Sequence, residues 1–177
     1  MSLKSTATRY GAVAIAIHWI SALVILAALA GGLIMDRTEE AGLVRTILPV
    51  HMTLGVAALL LTLFRIGWWI WGDKRPEPAP GQPAAQEWAA RLVHGLLYLV
   101  VLILVASGIA TVALSGAIPA LLTGEALPEF SGLLPRTAHG LAGRVLLVLL
   151  VAHIGAALYH QFIRRDRLLA RMGLGTP

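Results

Sequence analysis

The stretch His139–His160, HGLAGRVLLVLLVAHIGAALYH, is apolar enough to sit in hydrocarbon and yet carries three histidines. Their spacings are fourteen and seven residues. At about 100° per residue these steps fall about 40° and 20° short of whole turns, so in a helix all three rings share one face. Polar side chains in an apolar helix generally face the interior of a bundle. The stretch therefore predicts a membrane helix whose buried side is lined with imidazoles.

The rest of the chain suits the same solvent. Its 177 residues are 58% hydrophobic and 13% charged, with a mean hydropathy of +0.79. A soluble domain of this length needs far more polar surface. Four apolar runs, Tyr10–Met35, Val50–Trp71, Leu92–Leu114 and His139–Ile163, each approach or exceed the roughly 20 residues that cross a bilayer as a helix. The expected fold is all-α, an integral membrane four-helix bundle. It forms a single domain over 1–177 with spans at about 10–35, 50–71, 90–114 and 139–163. The first run is longer than a secretory apolar region of about 7–15 residues, so it is expected to remain as a span.

Charge orients the bundle. Lys4 and Arg9 precede the first span, Lys74 and Arg75 follow the second, and Arg164, Arg165, Arg167 and Arg171 follow the fourth. The other two loops hold Arg37, Arg45 and Arg136 among Asp36, Glu39, Glu40, Glu125 and Glu129. The positive-inside rule then places both termini in the cytoplasm. The net charge of +5 reads as topology and headgroup anchoring, with no nucleic acid as partner.

The connections are a short acidic loop (36–49), a Pro-rich cytoplasmic linker (72–87) and an apolar outer loop (115–138). The linker's RPEPAPGQP cannot continue a helix, because proline removes donors and clashes with the preceding turn. No internal repeat is evident. The outer loop could be a plain connector or a lid.

All six histidines, His18, His51, His94, His139, His153 and His160, fall inside or at the edge of a span. Any one could be a packed structural residue; six of six in the membrane favours ligands. Depth sorts them. His18 on the first span and His153 on the fourth meet in the inner half, while His51 and His139 both lie at the outer edge. The two pairs are fourteen residues apart along the fourth span, or about 21 Å. Facing helices can hold a haem iron between two neutral imidazoles. Zinc asks for three or four ligands in tetrahedral array, which pairs do not supply. No cysteine is present, so thiolate sites and covalent haem attachment are excluded. The reading is two non-covalent b haems, with His18, His153, His51 and His139 as axial ligands of iron. Ala22, Gly55, Gly143 and Ala157, each four residues beyond a ligand, leave room for a porphyrin.

His94 and His160 both belong at the cytoplasmic boundary. They are either ordinary helix-end residues or a quinone site, where an imidazole bonds a carbonyl and relays protons. Trp19 either lines that region or packs. Arg136 and Arg144 flank His139, where they could steer a donor or pair with haem propionates. Arg65 at the inner end is expected to snorkel to the headgroups.

AIAIHWISALVIL, HMTLGVAALLLTLFRIGWWIW, LVHGLLYLVVLILVASGIA and AHIGAALYHQFIRRDRLLARM resemble, in order, the prokaryotic cytochrome b561 family over nearly the whole chain. The fourth-span signature of His153, His160, Asp166, Leu169, Arg171 and Met172 is its most specific part. The resemblance implies a bacterial inner-membrane protein that passes electrons to ubiquinone, with superoxide as donor in members that are superoxide oxidases. It assigns the same four haem ligands and places His94 and His160 against the quinone. The expected activity is superoxide:ubiquinone oxidoreductase, with superoxide or another one-electron donor, quinone and the lipid bilayer as partners. A protein partner is possible but not required. The alternative is a cytochrome b subunit serving a dehydrogenase or hydrogenase. A metal or proton transporter fits less well, since intramembrane carboxylates and broken helices are missing.

Overall fold

Helix α1 starts at Ala12, directly after the basic amino-terminal segment, and ends at Arg37. In the computed structural model, which describes residues 2–78, 81–166 and 168–175, it is followed by α2 (Ala41–Gly67), α3 (Ala84–Ser115), the short α4 (Ala117–Thr123), α5 (Leu134–Leu158) and α6 (Leu168–Arg171). Helices α2 and α5 each run on into a wider π-helical turn, Trp68–Gly72 and Tyr159–Arg164. Helices α1, α2, α3 and α5 are long and apolar enough to cross a membrane. They form an all-α four-helix bundle, in which α1 packs against α2, α3 against α5, and α2 joins the two hairpins through α3. Arg167, one of the tail arginines expected at the headgroups, lies outside the described residues.

Three helix starts differ from expectation, one of them that of α5, at Leu134 rather than His139. The acidic loop shrinks to residues 38–40, because α2 begins at Ala41 rather than at the apolar run from Val50. The extra turns are held from outside: Arg45 donates to the carbonyls of Ala120 (3.1 Å) and Leu121 (3.3 Å) and to that of Glu125. The first two are orphan carbonyls in the last turn of α4 and the third lies just beyond it, so one guanidinium ties the α2 start to the outer loop. The loop is thus folded back as α4 and is not a free connector. Gly116 and Gly124 bound α4 in the left-handed region, at φ 75° and 84°, where a Cβ is disfavoured. The linker is also shorter than 72–87, since α3 starts at Ala84, right after Pro83.

Both termini lie at one end of the bundle, tied to the linker. The carboxylate of Asp73 accepts from the Ser5 amide (2.8 Å) and hydroxyl (2.7 Å), and the same hydroxyl accepts from the Gly11 amide (3.1 Å). Arg171 donates to the carbonyls of Thr8 (2.9 Å) and Glu77 (2.6 Å). Gly11 is where this wrap closes; a Cβ there would stand 2.4 Å from the Leu3 carbonyl oxygen. Slight burial pushes the Asp73 carboxyl up, but the hydrogen bonds from Ser5 and Lys74 outweigh it and hold it below the usual carboxylate range. A carboxylate with a depressed folded pKa stabilises above its unfolded value, about 3.9, and loses that contribution as pH falls through the folded value. Hydrogen exchange at the Ser5 and Gly11 amides, normalised to the intrinsic rate, should therefore rise below about pH 4. In Asp73→Ala it should be fast at every pH.

The core is small. Ala58, Val100, Val101, Ala142 and Leu146 are buried together, with Val24, Ile25, Leu97, Leu104, Leu149 and Leu150 packed around them. On every helix these residues fall between two histidine-bearing levels, so the packed apolar layer separates one level from the other.

Candidate functional site

The level far from the termini is made by α2 and α5. His51 and His139 face each other with ring centroids 5.9 Å apart and planes at 74°. Each ring is fixed by a backbone carbonyl of the neighbouring helix. The His51 Nδ1 lies 2.9 Å from the Ala28 carbonyl on α1, and the His139 Nδ1 lies 2.9 Å from the Leu104 carbonyl on α3. A carbonyl can only accept, so both Nδ1 atoms carry the proton and donate, which leaves both Nε2 atoms as free lone pairs. The Ser107 hydroxyl stands 3.3 Å from the His139 Nδ1.

The level near the termini brings together three rings. His18 on α1 and His153 on α5 have centroids 6.3 Å apart at 64°. His94 on α3 packs against the same His153 ring, at 5.2 Å and 69°. His94, expected at the cytoplasmic boundary, lies at the level of His153. His160 instead bonds the Asp166 carboxylate through Nδ1. The chain reverses at Arg165, which is left-handed at φ 56°, and that turn carries Asp166 back to the ring. Trp19 packs edge-on against His18 (5.0 Å), and its indole N–H donates to the Met172 carbonyl (3.0 Å), joining this level to the tail.

A metal–imidazole bond is about 2 Å long and a ring centroid lies about 1 Å behind its nitrogen, so rings on opposite sides of one iron have centroids roughly 6 Å apart. His51–His139 and His18–His153 meet that requirement, whereas His94–His153 is too close. Among the described residues no cluster of three or more His, Asp or Glu side chains is placed to cage a metal. The rings that meet the 6 Å requirement fall in pairs, as an axially ligated haem needs. There is also room: a Cβ on Gly55 or Gly143 would meet nothing within 4 Å. The His18 Nδ1 is buried without a partner.

The arginines divide. Arg136, half-buried, forms an ion pair with the exposed Asp36 at 2.7 Å. Arg144 is exposed on α5, with no hydrogen bond or ion pair among the described residues. Arg65, half-buried, lies over the Tyr98 ring, 5.6 Å from its centroid. Gly32 and Gly108, which touch the His51 and His139 rings, were not among the expected site residues. Their only signal in the sequence is a spacing of fourteen from His18 and His94.

A family described as prokaryotic cytochrome b561 matches residues 9–175. The chain is 30% identical to "Cytochrome b561 homolog 2" of Escherichia coli K12, over 97% of this chain and 95% of that one. It is 30% identical to "Cytochrome b562" of Cereibacter sphaeroides, over 92% and 94%. "Cytochrome b561 homolog 1" of Escherichia coli K12 is 36% identical over 55% of this chain and 58% of its own.

Proposed function

The chain belongs to the prokaryotic cytochrome b561 family, bacterial membrane proteins that transfer electrons with haem b, and from that premise we propose that it carries two haems and reduces ubiquinone with electrons from superoxide. The observation that carries this reading is the pair of histidine levels, each with two rings about 6 Å apart and an apolar layer between them. The haems, when bound, supply one-electron transfer from one face of the membrane to the other. His51 and His139 hold the outer group, and His18 with His153 the inner one. Both termini lie in the cytoplasm of an inner-membrane protein, as the basic residues at that end favour.

The chain's own residues account for the two ends of the reaction. At the outer face Arg136, whose charge acts on both His51 and His139, makes the surroundings of this pair attractive to a small anion. The charge of Arg136 is partly offset by Asp36, and Arg144, exposed further along α5, adds a second positive charge. At the inner face His94 stands against His153, and Trp19 closes the side toward the tail. His160 is held through Nδ1 by Asp166, so a proton taken up at Nε2 from the cytoplasmic side makes that nitrogen a donor to a quinone carbonyl, to which the proton then passes. Two superoxide anions each give one electron and leave as dioxygen; one quinone and two protons from the cytoplasmic side become one quinol.

Stopped-flow mixing of the oxidised protein with superoxide tests the donor. Haem reduction within the mixing experiment, followed by quinol when ubiquinone is present, is the expected result. No haem reduction would leave the protein as an electron carrier for a docked dehydrogenase or hydrogenase.

A further inference from the structure

We infer that Gly32 and Gly108 are positioning residues for the outer histidine pair, because a Cβ at either position would push the ring back from the carbonyl that sets its tautomer. The inference rests on the reading of His51 and His139 as haem ligands. In a helix the carbonyl of residue n accepts from the amide of n+4. For the carbonyl of Ala28 that residue is Gly32, and for the carbonyl of Leu104 it is Gly108. A ring that shares the carbonyl must pass over residue n+4. A Cβ on Gly32 would stand 3.2 Å from the His51 Cε1, and one on Gly108 would stand 3.2 Å from the His139 Cε1 and 3.3 Å from its Nδ1. Each ring would have to retreat by a few tenths of an ångström. The Nδ1 contact, now 2.9 Å, would lengthen and bend away from the carbonyl, and a hydrogen bond weakens steeply with misalignment.

The arrangement occurs once in each hairpin. Gly32 follows His18 by fourteen residues and Gly108 follows His94 by fourteen. On the second helix of each hairpin, Arg65 follows His51 and His153 follows His139 by the same interval. The two hairpins thus share a register, and the ring–carbonyl–glycine contact recurs at matching places. At the inner level the buried Nδ1 of His18 has no such partner. Gly31 provides a neighbour for comparison: its Cβ would meet the Ile47 Cγ2 at 3.4 Å and the His51 Nδ1 at 3.8 Å, which are ordinary contacts.

Donation from Nδ1–H to a carbonyl orients a ligating imidazole and makes its other nitrogen a stronger donor to the metal. A stronger donor favours the oxidised iron, so losing the bond raises the potential of the group it holds. The test uses purified holoprotein with Gly108→Ala, Gly32→Ala and Gly31→Ala, reading haem content and a redox titration of each haem. Gly108→Ala and Gly32→Ala should raise the midpoint potential of the haem that His139→Ala removes, or release it. The other haem should be unchanged, and Gly31→Ala should match wild type. Wild-type titrations for both Gly108→Ala and Gly32→Ala would overturn the inference. If both variants lose both haems, nitrogen-15 histidine spectra of the reduced wild-type protein decide. Slowly exchanging Nδ1 protons on His51 and His139 support the inference, and unprotonated or freely exchanging Nδ1 atoms overturn it. A wild-type protein with no haem that His139→Ala removes would sink the ligand reading itself, and the inference with it.

Discussion

Changing His139 to alanine is expected to remove one haem of two and to leave the other with its native spectrum. His139 and His51 form a level of their own at the far end of the bundle, 5.9 Å apart between ring centroids. The layer around Ala58, Val100, Val101, Ala142 and Leu146 lies between this level and the other, and the substitution does not reach it. The helix should also survive, since alanine is the strongest helix former and the Leu104 carbonyl keeps its own partner within α3. Residues that only support a metal ligand typically contribute about 10–100-fold to affinity, so loss of the ligand itself should empty the outer position at ordinary haem concentrations. His18→Ala should do the reverse, emptying the inner position and sparing the outer one. Haem-to-protein ratios and the number of components in a redox titration measure both results. Retention of two haems in either variant would show that the rings are paired wrongly.

The pairing was readable in the sequence because a helix turns residue number into depth. Counting from the basic ends places His18 beside His153 and His51 beside His139, and the structure makes both contacts. The same counting failed for His94. Its helix starts at Ala84, six residues before the expected span, so His94 lies deeper along the bundle and meets His153. Hydropathy marks where hydrocarbon begins, not where helical hydrogen bonding begins, and the two separate wherever a polar turn finds support. Arg45 shows the same limit at the other end, where its partners are the carbonyls of a loop helix about 75 residues away. The bond between His160 and Asp166 depends on a left-handed residue at Arg165, which no periodicity foretells. The two glycines against the His51 and His139 rings were hidden by number: among eighteen glycines, a spacing of fourteen is not distinctive.

The double variant His94→Ala, His160→Ala should keep both haems and lose about a hundredfold or more of quinone reduction, the usual scale for removing general acids. Haem retention follows from distance. His94 stands 5.2 Å from His153 between centroids, too near for an iron to lie between them, so it does not share the axial role. Loss of quinone chemistry follows from placement and bonding. His94 touches His153, the ring proposed to hold the inner group, and His160, anchored through Nδ1 by Asp166, is free to take up a proton at Nε2 and hand it to an acceptor. Each ring is a proton carrier at the end of the bundle where the termini meet water. Reduction of the haems by superoxide should continue in the double variant, so electrons should accumulate on the protein and not appear in quinol. Quinone reduction at the wild-type rate would return both histidines to ordinary packing. Loss of the inner haem in His94→Ala alone, with His18→Ala retaining it, would instead make His94 the true partner of His153 and free His18 for another role.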